Sequence, residues 1–276
     1  MSFAIWAALA FLLAGLGYWL LVLTEGVYLG PRVVRLLYDW GAKSYDEIKE
    51  FDVGKDAWHL AIPLERRLKD WKCPPILDVA TGTGRMLLAL LRRPGFEGWL
   101  VGLDASLPML RVAREKVQGY GGRASLLWKD ASRLPFADGS FAAVTCIEAL
   151  EFMPDQSLAL QEMARVLAPG GVLLLSNRVG RDTFFLPGRT FGREELKSLL
   201  ASLSLGDVQV KRWQECYDLV WAQKRGSPGG KPPQNLSEVL LCPRCGSSLA
   251  RRSEAMGCLN CDHLYPFVDG VLSLEV

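Results

Sequence analysis

The sequence predicts an α/β fold: a doubly wound parallel sheet closed by an antiparallel pair, with a membrane-spanning helix before it and a small metal-bound module after it. Three observations lead there. Short apolar runs alternate with amphipathic stretches from residue 74 onward, residues 3–23 carry neither charge nor proline, and residues 242–261 hold two CxxC pairs. Half of the 276 residues are hydrophobic and 22% are charged, enough apolar material for a sizeable core and too much for a disordered chain. The net charge of +2 is spread without a basic block, so nucleic acid is not expected as a partner.

The first element is "FAIWAALAFLLAGLGYWLLVL", residues 3–23. Its length suits a hydrocarbon core of roughly 30 Å at about 1.5 Å per helical residue. A cleaved signal would begin with basic residues and end in a small-x-small site, whereas this stretch begins "MS" and exits through "TEGVYLGPR". It reads as a single-pass anchor spanning residues 1–27, with Tyr18 and Trp19 as interfacial aromatics. Arg32, Arg35 and Lys43 follow it, so the positive-inside rule places the body in the cytoplasm. Cysteines there stay reduced, and Cys73, Cys146 and Cys216, which have no partner pattern, read as buried hydrophobes.

Residues 28–224 are expected to form the catalytic domain. "GPRVVRLLYDWGAKSYDEIKEF" and "DAWHLAIPLERRLKDW" place apolar residues three and four apart, the helical period. The period then changes. "PPILDVA", "WLVGLD", "ASLLWKD", "FAAVTCIE" and "GVLLLSN" are short apolar runs, and most are followed by a helical stretch such as "RMLLALLRR" or "SLPMLRVAREKVQ". That rhythm predicts parallel strands with helices on both faces. "DVQVKRW" (207–213) and "ECYDLVWAQK" (215–224) have almost nothing between them, so they can pair only antiparallel. "KRGSPGGKPPQNLS" then reads as a linker, residues 225–237, and residues 238–276 form the terminal module.

The chemistry is concentrated at "LDVATGTGR", residues 77–85, a strand that runs into a glycine turn opening a helix. Such a turn offers free backbone N–H groups above the sheet edge. The dinucleotide fingerprint is incomplete, because Leu87 stands where a third glycine belongs, and no phosphate loop is present. Asp78, just before the turn, would repel a pyrophosphate and favour a cationic ligand. Asp104 closes the next strand, where a carboxylate can clasp two ribose hydroxyls, and Asp130 closes the one after, within reach of a purine amine. Three acids thus ring one crevice.

"DVATGTGR", "GLDASLPMLRVARE", "KDASRLPFADGSFAAV" and "EMARVLAPGGVLLLSN" together resemble the successive motifs of class I S-adenosylmethionine-dependent methyltransferases, closest to the quinone-biosynthesis C-methyltransferases and small-molecule and lipid methyltransferases. The resemblance covers about residues 36–223. It implies a Rossmann-like, seven-stranded sheet with a terminal antiparallel pair. It further implies Asp78, Ala80, Gly82 and Gly84 around the methionine end of S-adenosylmethionine, Asp104 on the ribose, Ala105 and Met109 near the adenine, and Asp130 with Ala131 near its N6.

Methyl transfer from a sulfonium needs mainly positioning and exclusion of water, with a base only where the acceptor carries a proton. Glu148 is the foremost candidate, since its strand end lies opposite the donor; Glu151, Tyr38, Tyr45 and His59 are weaker ones. The chain departs from the family at Ala142, where many members carry Asp, and at "EALEF", where a His-containing stretch is common. The Asp/Asn-Pro-Pro-aromatic signature of amino-methylating enzymes on nucleic acid and glutamine is also missing.

Cys242, Cys245, Cys258 and Cys261 form two CxxC knuckles twelve residues apart, the donor set and spacing of a tetrahedral structural zinc site. A module this short has too little core to fold by itself, and zinc would supply the folding energy. The stretch resembles zinc-ribbon activator subunits of methyltransferases. With three basic residues against five acidic ones it is suited to docking on the catalytic domain rather than to gripping phosphates. The expected protein is a membrane-anchored methyltransferase for a small lipophilic acceptor. A macromolecule-directed methyltransferase with a fused activator, and a non-catalytic cofactor-binding scaffold, are the alternatives.

Overall fold

The computed structural model describes residues 2–229 and 232–275. Met1 and Val276, the outer residues of the expected anchor and terminal module, and residues 230–231 of the expected linker lie outside the described residues.

Strands β1 (Pro75–Val79), β2 (Trp99–Asp104), β3 (Ala124–Trp128), β4 (Phe141–Cys146) and β5 (Leu167–Arg178) are parallel, and β6 (Leu205–Arg212) and β7 (Tyr217–Lys224) follow. Their order is β6-β7-β5-β4-β1-β2-β3, with β7 antiparallel to both β5 and β6. The expected terminal pair is therefore present. β1 is buried along its whole length, as a central parallel strand covered on both faces must be. Apolar residues above and below the sheet form two cores. One is centred on Leu77, Val101, Phe136, Phe141 and Leu160, the other on Leu60, Ile76, Leu87, Leu90 and Leu100.

β1 hydrogen-bonds β2 on one side and β4 on the other. The chain leaves β1 toward β3 and returns to the opposite side at β4, so the sheet has its switch point at the carboxyl ends of β1 and β4, where a crevice must open. Helices α6 (Arg85–Leu91), α7 (Leu107–Val117), α8 (Gln156–Val166) and α9 (Arg193–Ser202) cover the faces. Before the sheet come α2 (Pro31–Gly41), α3 (Tyr45–Ile48), α4 (Val53–Asp56) and α5 (Ile62–Arg67); α2 and α3 border the crevice, whereas α5 packs through Leu64 into the core on the sheet. The apolar N-terminal stretch is α1 (Ser2–Tyr18), continued by a wider π-type turn over Trp19–Leu23; no residue of Phe3–Leu23 is buried in the body of the protein.

The C-terminal module is more closely integrated than the sequence suggests. β8 (Leu249–Arg252), β9 (Ala255–Cys258), β10 (Leu264–Val268) and β11 (Val271–Ser273) form an antiparallel meander. β11 then pairs parallel with β3, Leu272 opposite Leu127, and extends the sheet to eleven strands. Leu240, Met256, Tyr265, Leu272 and Leu274 are buried in the same core as β1–β7. The preceding segment is also held: the Trp99 indole donates to the Pro233 carbonyl at 2.9 Å, and Leu241 N–H donates to the Pro135 carbonyl at 2.8 Å. The module covers the open edge of β3, an edge that would otherwise expose unpaired backbone groups.

Candidate functional site

A cavity of about 350 Å³ lies over the carboxyl ends of β1, β2, β3 and β4, roofed by α2 and α3 and walled on one side by the start of α8. That volume falls in the range of small-molecule sites. Asp78, Ala80, Gly82, Asp104, Ala105, Asp130, Ala131 and Glu148 all border it. Gly84 and Met109 do not, because each packs away from the opening.

The turn after β1 is built by its own carboxylate. Asp78 is buried, and its two oxygens accept from the Thr81 and Thr145 hydroxyls, each at 2.6 Å. Its first duty is therefore to hold the turn against β4, and burial pushes its carboxyl up to about 6. Ala80, Gly82 and Gly84 all lie at positive φ, at 55°, 52° and 79°. A side chain on Gly84 would come within 3.0 Å of the Ala113 methyl, so this glycine lets the turn seat on α7. No atom lies within 4 Å of where a Gly82 Cβ would be. At Gly82 the turn opens upward, leaving its backbone approachable.

Asp104 bridges the turn and the next helix: its carboxylate accepts from the N–H groups of Gly82 and Ser106, both at 2.8 Å. Burial pushes this carboxyl up to about 6 as well, against those hydrogen bonds. Ser106 caps α7 by accepting from Met109 N–H, which fixes Met109 as a fully buried helix residue rather than a cavity wall. Asp130 is half exposed at its side chain and held below the usual carboxylate range by Ser132, although burial works the other way.

Glu148 is at φ 53°, a left-handed conformation that a non-glycine residue adopts only when its surroundings enforce it. Its N–H donates to the Ser176 hydroxyl at 2.6 Å. Its Oε1 accepts from Arg85 at 2.7 Å and from Gln214 at 3.2 Å. Arg85 in turn makes a two-pronged contact with Asp56, at 2.8 and 2.7 Å, and lies against the rings of Phe51 and Trp213. Among the described residues Glu148 Oε2 has no hydrogen-bond donor, so one oxygen is fixed and the other is left for a ligand.

Of the weaker candidates, Tyr38 and Tyr45 line the cavity and form an aromatic group with Phe51 and Phe152. Tyr38 donates to Glu25 at 2.7 Å, and burial raises its phenol well above the usual value, so it is a hydrogen-bonding wall rather than a base. Glu151 is buried behind the wall against Tyr217 and Arg178, and burial raises its carboxyl. His59 is exposed and away from the cavity.

Sequence reasoning passed over the stitching between the roof and the turn. Thr83 donates to Asp46 at 2.5 Å, Ser106 donates to Asp39 at 2.5 Å, and Arg85 engages Asp56. Three acids of the N-terminal helices thus lock onto the loops and helix starts that follow β1 and β2. Only Ser106 carried a local signal, as a serine directly before Leu-Pro at a helix start; the partners in the three pairs are 29 to 67 positions apart.

Cys242, Cys245, Cys258 and Cys261 bring their four sulfurs within 4.8 Å of one another. Sγ separations of 3.7 Å (Cys242 to Cys261) and 3.4 Å (Cys245 to Cys258) compare with about 3.8 Å between thiolates around one tetrahedral zinc. The residues fit that ion. Tyr265 donates or accepts at 3.1 Å from Cys242 beneath the cluster.

Residues 76–171 match the family described as methyltransferase domain. Residues 76–171 thus form a methyltransferase domain of the class I S-adenosylmethionine-dependent type. The demethylmenaquinone methyltransferase of Thermus thermophilus is 48% identical over 101 residues, 36% of this chain and 45% of that protein. The methyltransferase GfsG of Streptomyces halstedii is 40% identical over 110 residues, 39% of each. The ubiquinone/menaquinone biosynthesis C-methyltransferase UbiE of Idiomarina loihiensis is 39% identical over 102 residues, 36% of this chain and 41% of that protein. The chain spans less than half the length of these curated relatives. Among solved structures, the cyclase SpnF superposes with TM-score 0.59 at 18% identity, covering 71% of this chain and 97% of that one. A Haloferax volcanii complex of a methyltransferase activator with a methyltransferase superposes with TM-score 0.55 at 22% identity, covering 71% and 100%. These likenesses describe the shared fold of the methyltransferase domain.

Proposed function

We propose that the protein is a membrane-anchored methyltransferase that carries the methyl group of S-adenosylmethionine to a small lipophilic acceptor of quinone type. The observation that carries this reading is the cavity itself. It is lined both by Asp78, Asp104, Asp130 and the open glycine turn and by Tyr38, Tyr45, Phe51, Phe152 and Leu158. The acids suit a cationic nucleoside and the aromatic side chains a flat apolar acceptor.

S-Adenosylmethionine supplies an activated methyl group when bound. In this reading Asp104 accepts from the ribose hydroxyls while it holds the Gly82 and Ser106 N–H groups, and Asp130 with Ala131 borders the adenine. Glu148 Oε2 takes the acceptor proton where there is one, its carboxylate oriented by Arg85 through Oε1. The roof helices exclude water from the transfer. The names of the quinone-biosynthesis relatives support the acceptor class. The apolar stretch 3–23 supports the single-pass anchor, and Arg32, Arg35 and Lys43 after it support a body on the cytoplasmic side. Four convergent thiolates support zinc in the C-terminal ribbon, where Cys242, Cys245, Cys258 and Cys261 would hold it.

Incubation of the full chain in detergent with methyl-labelled cofactor and a membrane lipid extract tests the proposal. Label is expected in a quinone-like or other lipophilic small molecule. Label found only in protein or RNA overturns the acceptor class, and no label at all, with cofactor bound, leaves a binding scaffold.

A further inference from the structure

The end of the apolar helix is fastened to the catalytic body. The Trp19 indole stacks on Tyr28 with ring centroids 5.2 Å apart and donates to the Phe185 carbonyl at 3.2 Å. The Tyr28 hydroxyl donates to the Pro187 carbonyl at 2.8 Å. On the segments that form this junction and on α2, which follows it in the chain, several large apolar side chains are exposed. Phe184 is 83% exposed, Leu36 64% and Trp40 90%, with Leu29 and Phe185 part-exposed.

On α2, Arg32, Leu36 and Trp40 follow one another at intervals of four and share the outer face, while Val34, Arg35 and Tyr38 line the cavity. One helix therefore has the cavity on one side and exposed apolar rings on the other. Arg32, Lys43 and Arg181 are exposed on the same segments.

Single exposed hydrophobic residues need no explanation, but a set of this kind joined to a membrane-length helix does. Aromatic rings flanked by basic side chains are what sits at the headgroup boundary of an anionic leaflet. We infer that the outer face of α2 and the Phe184–Phe185 corner lie in the interfacial layer of the bilayer, so that the body is laid on the membrane beside its anchor with the cavity roof against the lipid. The lipophilic acceptor then reaches the cavity past α2 without crossing water. The inference rests on the anchor proposed above and goes beyond it: an anchor alone would let the body stand off at the length of residues 24–30.

Photolabelling of the full chain tests this. The protein is reconstituted into phosphatidylcholine vesicles containing phosphatidylserine and a lipid with a diazirine on its acyl chain, irradiated, digested and mapped by mass spectrometry. Label is expected in residues 3–23, at Leu36 and Trp40, and at Phe184 and Phe185, and not at Leu259, an exposed leucine in the cysteine module (62% exposed). In a Trp40→Ser/Phe184→Ser variant the body label should be lost while that in 3–23 persists. Label confined to 3–23 overturns the inference and leaves the anchor standing. No label in 3–23 overturns both. A face left unlabelled and cross-linked to a second copy of the chain makes it a dimer surface and overturns the lipid assignment.

Discussion

Replacing Arg85 by Met is the most informative perturbation of the site. The guanidinium is mostly buried and is the cation shared by Asp56 and Glu148, whose side chains are only 4% and 8% exposed. Methionine keeps most of the side-chain volume and its packing on Phe51 and Trp213, and removes only the charge and its donors. Two buried carboxylates are then left without a cation. Breaking a buried pair in this way costs about 3–5 kcal/mol. For a domain of this size, roughly 2–4 °C per kcal/mol, the melting temperature should fall by about 6–20 °C.

The sign of the pH dependence provides the control. A buried, uncompensated carboxylate takes up a proton in the folded state at a pH where the unfolded chain is still ionised. The variant's extra stability is therefore present at low pH and is lost as pH rises, so its deficit relative to the parent shrinks on acidification. Thermal unfolding in detergent across pH 5–8 measures both effects. A drop below about 1 kcal/mol, the range of a solvated surface pair, or a deficit independent of pH, would refute the claim that Arg85 is the buried cation organising this wall.

Asp104→Asn keeps one acceptor oxygen and turns an NH2 group toward the Gly82 or Ser106 N–H, so it should destabilise the free protein by about 1–3 kcal/mol and also weaken S-adenosylmethionine binding by roughly 10- to 100-fold, read by thermal unfolding and calorimetry respectively. Since burial holds Asp78 and Asp104 near 6 in the free protein, cofactor affinity should be level above about pH 7 and fall as pH drops through 6, with proton release on binding near that pH. For the free protein the same shifts act oppositely: raised carboxyls contribute stability below their unfolded value, lost as pH rises through about 6. Chelation of metal, or Cys258→Ser, should unfold the ribbon; amide exchange at Leu126–Trp128 would rise as β11 is released, and a β3 protected to the same degree would count against the shared sheet. Gly84→Val should destabilise by more than about 1 kcal/mol, measured by denaturant unfolding, because of positive φ and the 3.0 Å approach to Ala113.

Much of the site was legible because its cues are local. A strand must end before a turn, a turn at positive φ favours glycine, and a parallel strand presents its last residue at the open edge, so Asp78, Gly82, Asp104 and Asp130 could be placed by counting. Glu148 was likewise found as a strand-end residue, but its tie to Arg85 was not. The clasp of Asp39, Asp46 and Asp56 on the loops after β1 and β2 left no trace in spacing, because each pair joins segments far apart in the chain and an aspartate in a helix reads as a solvated residue. Met109, which the resemblance sets near the adenine, is buried in its helix and does not border the cavity, with its N–H held by the Ser106 cap.

The cysteine module shows the same division. Ligand type and spacing are covalent facts, so four thiolates at one point followed from the sequence. That its last three-residue strand would join β3 did not, since "VLS" is too short to announce a strand and its partner lies over 140 positions earlier. The sequence by itself determined the periodicities, the turn chemistry, the length of the apolar helix and the metal donors, all properties of neighbouring residues. Tertiary structure decided which acids meet which cations, which edge the ribbon closes and which apolar faces stay uncovered. Those depend on burial, and burial exists only once distant segments exclude water together.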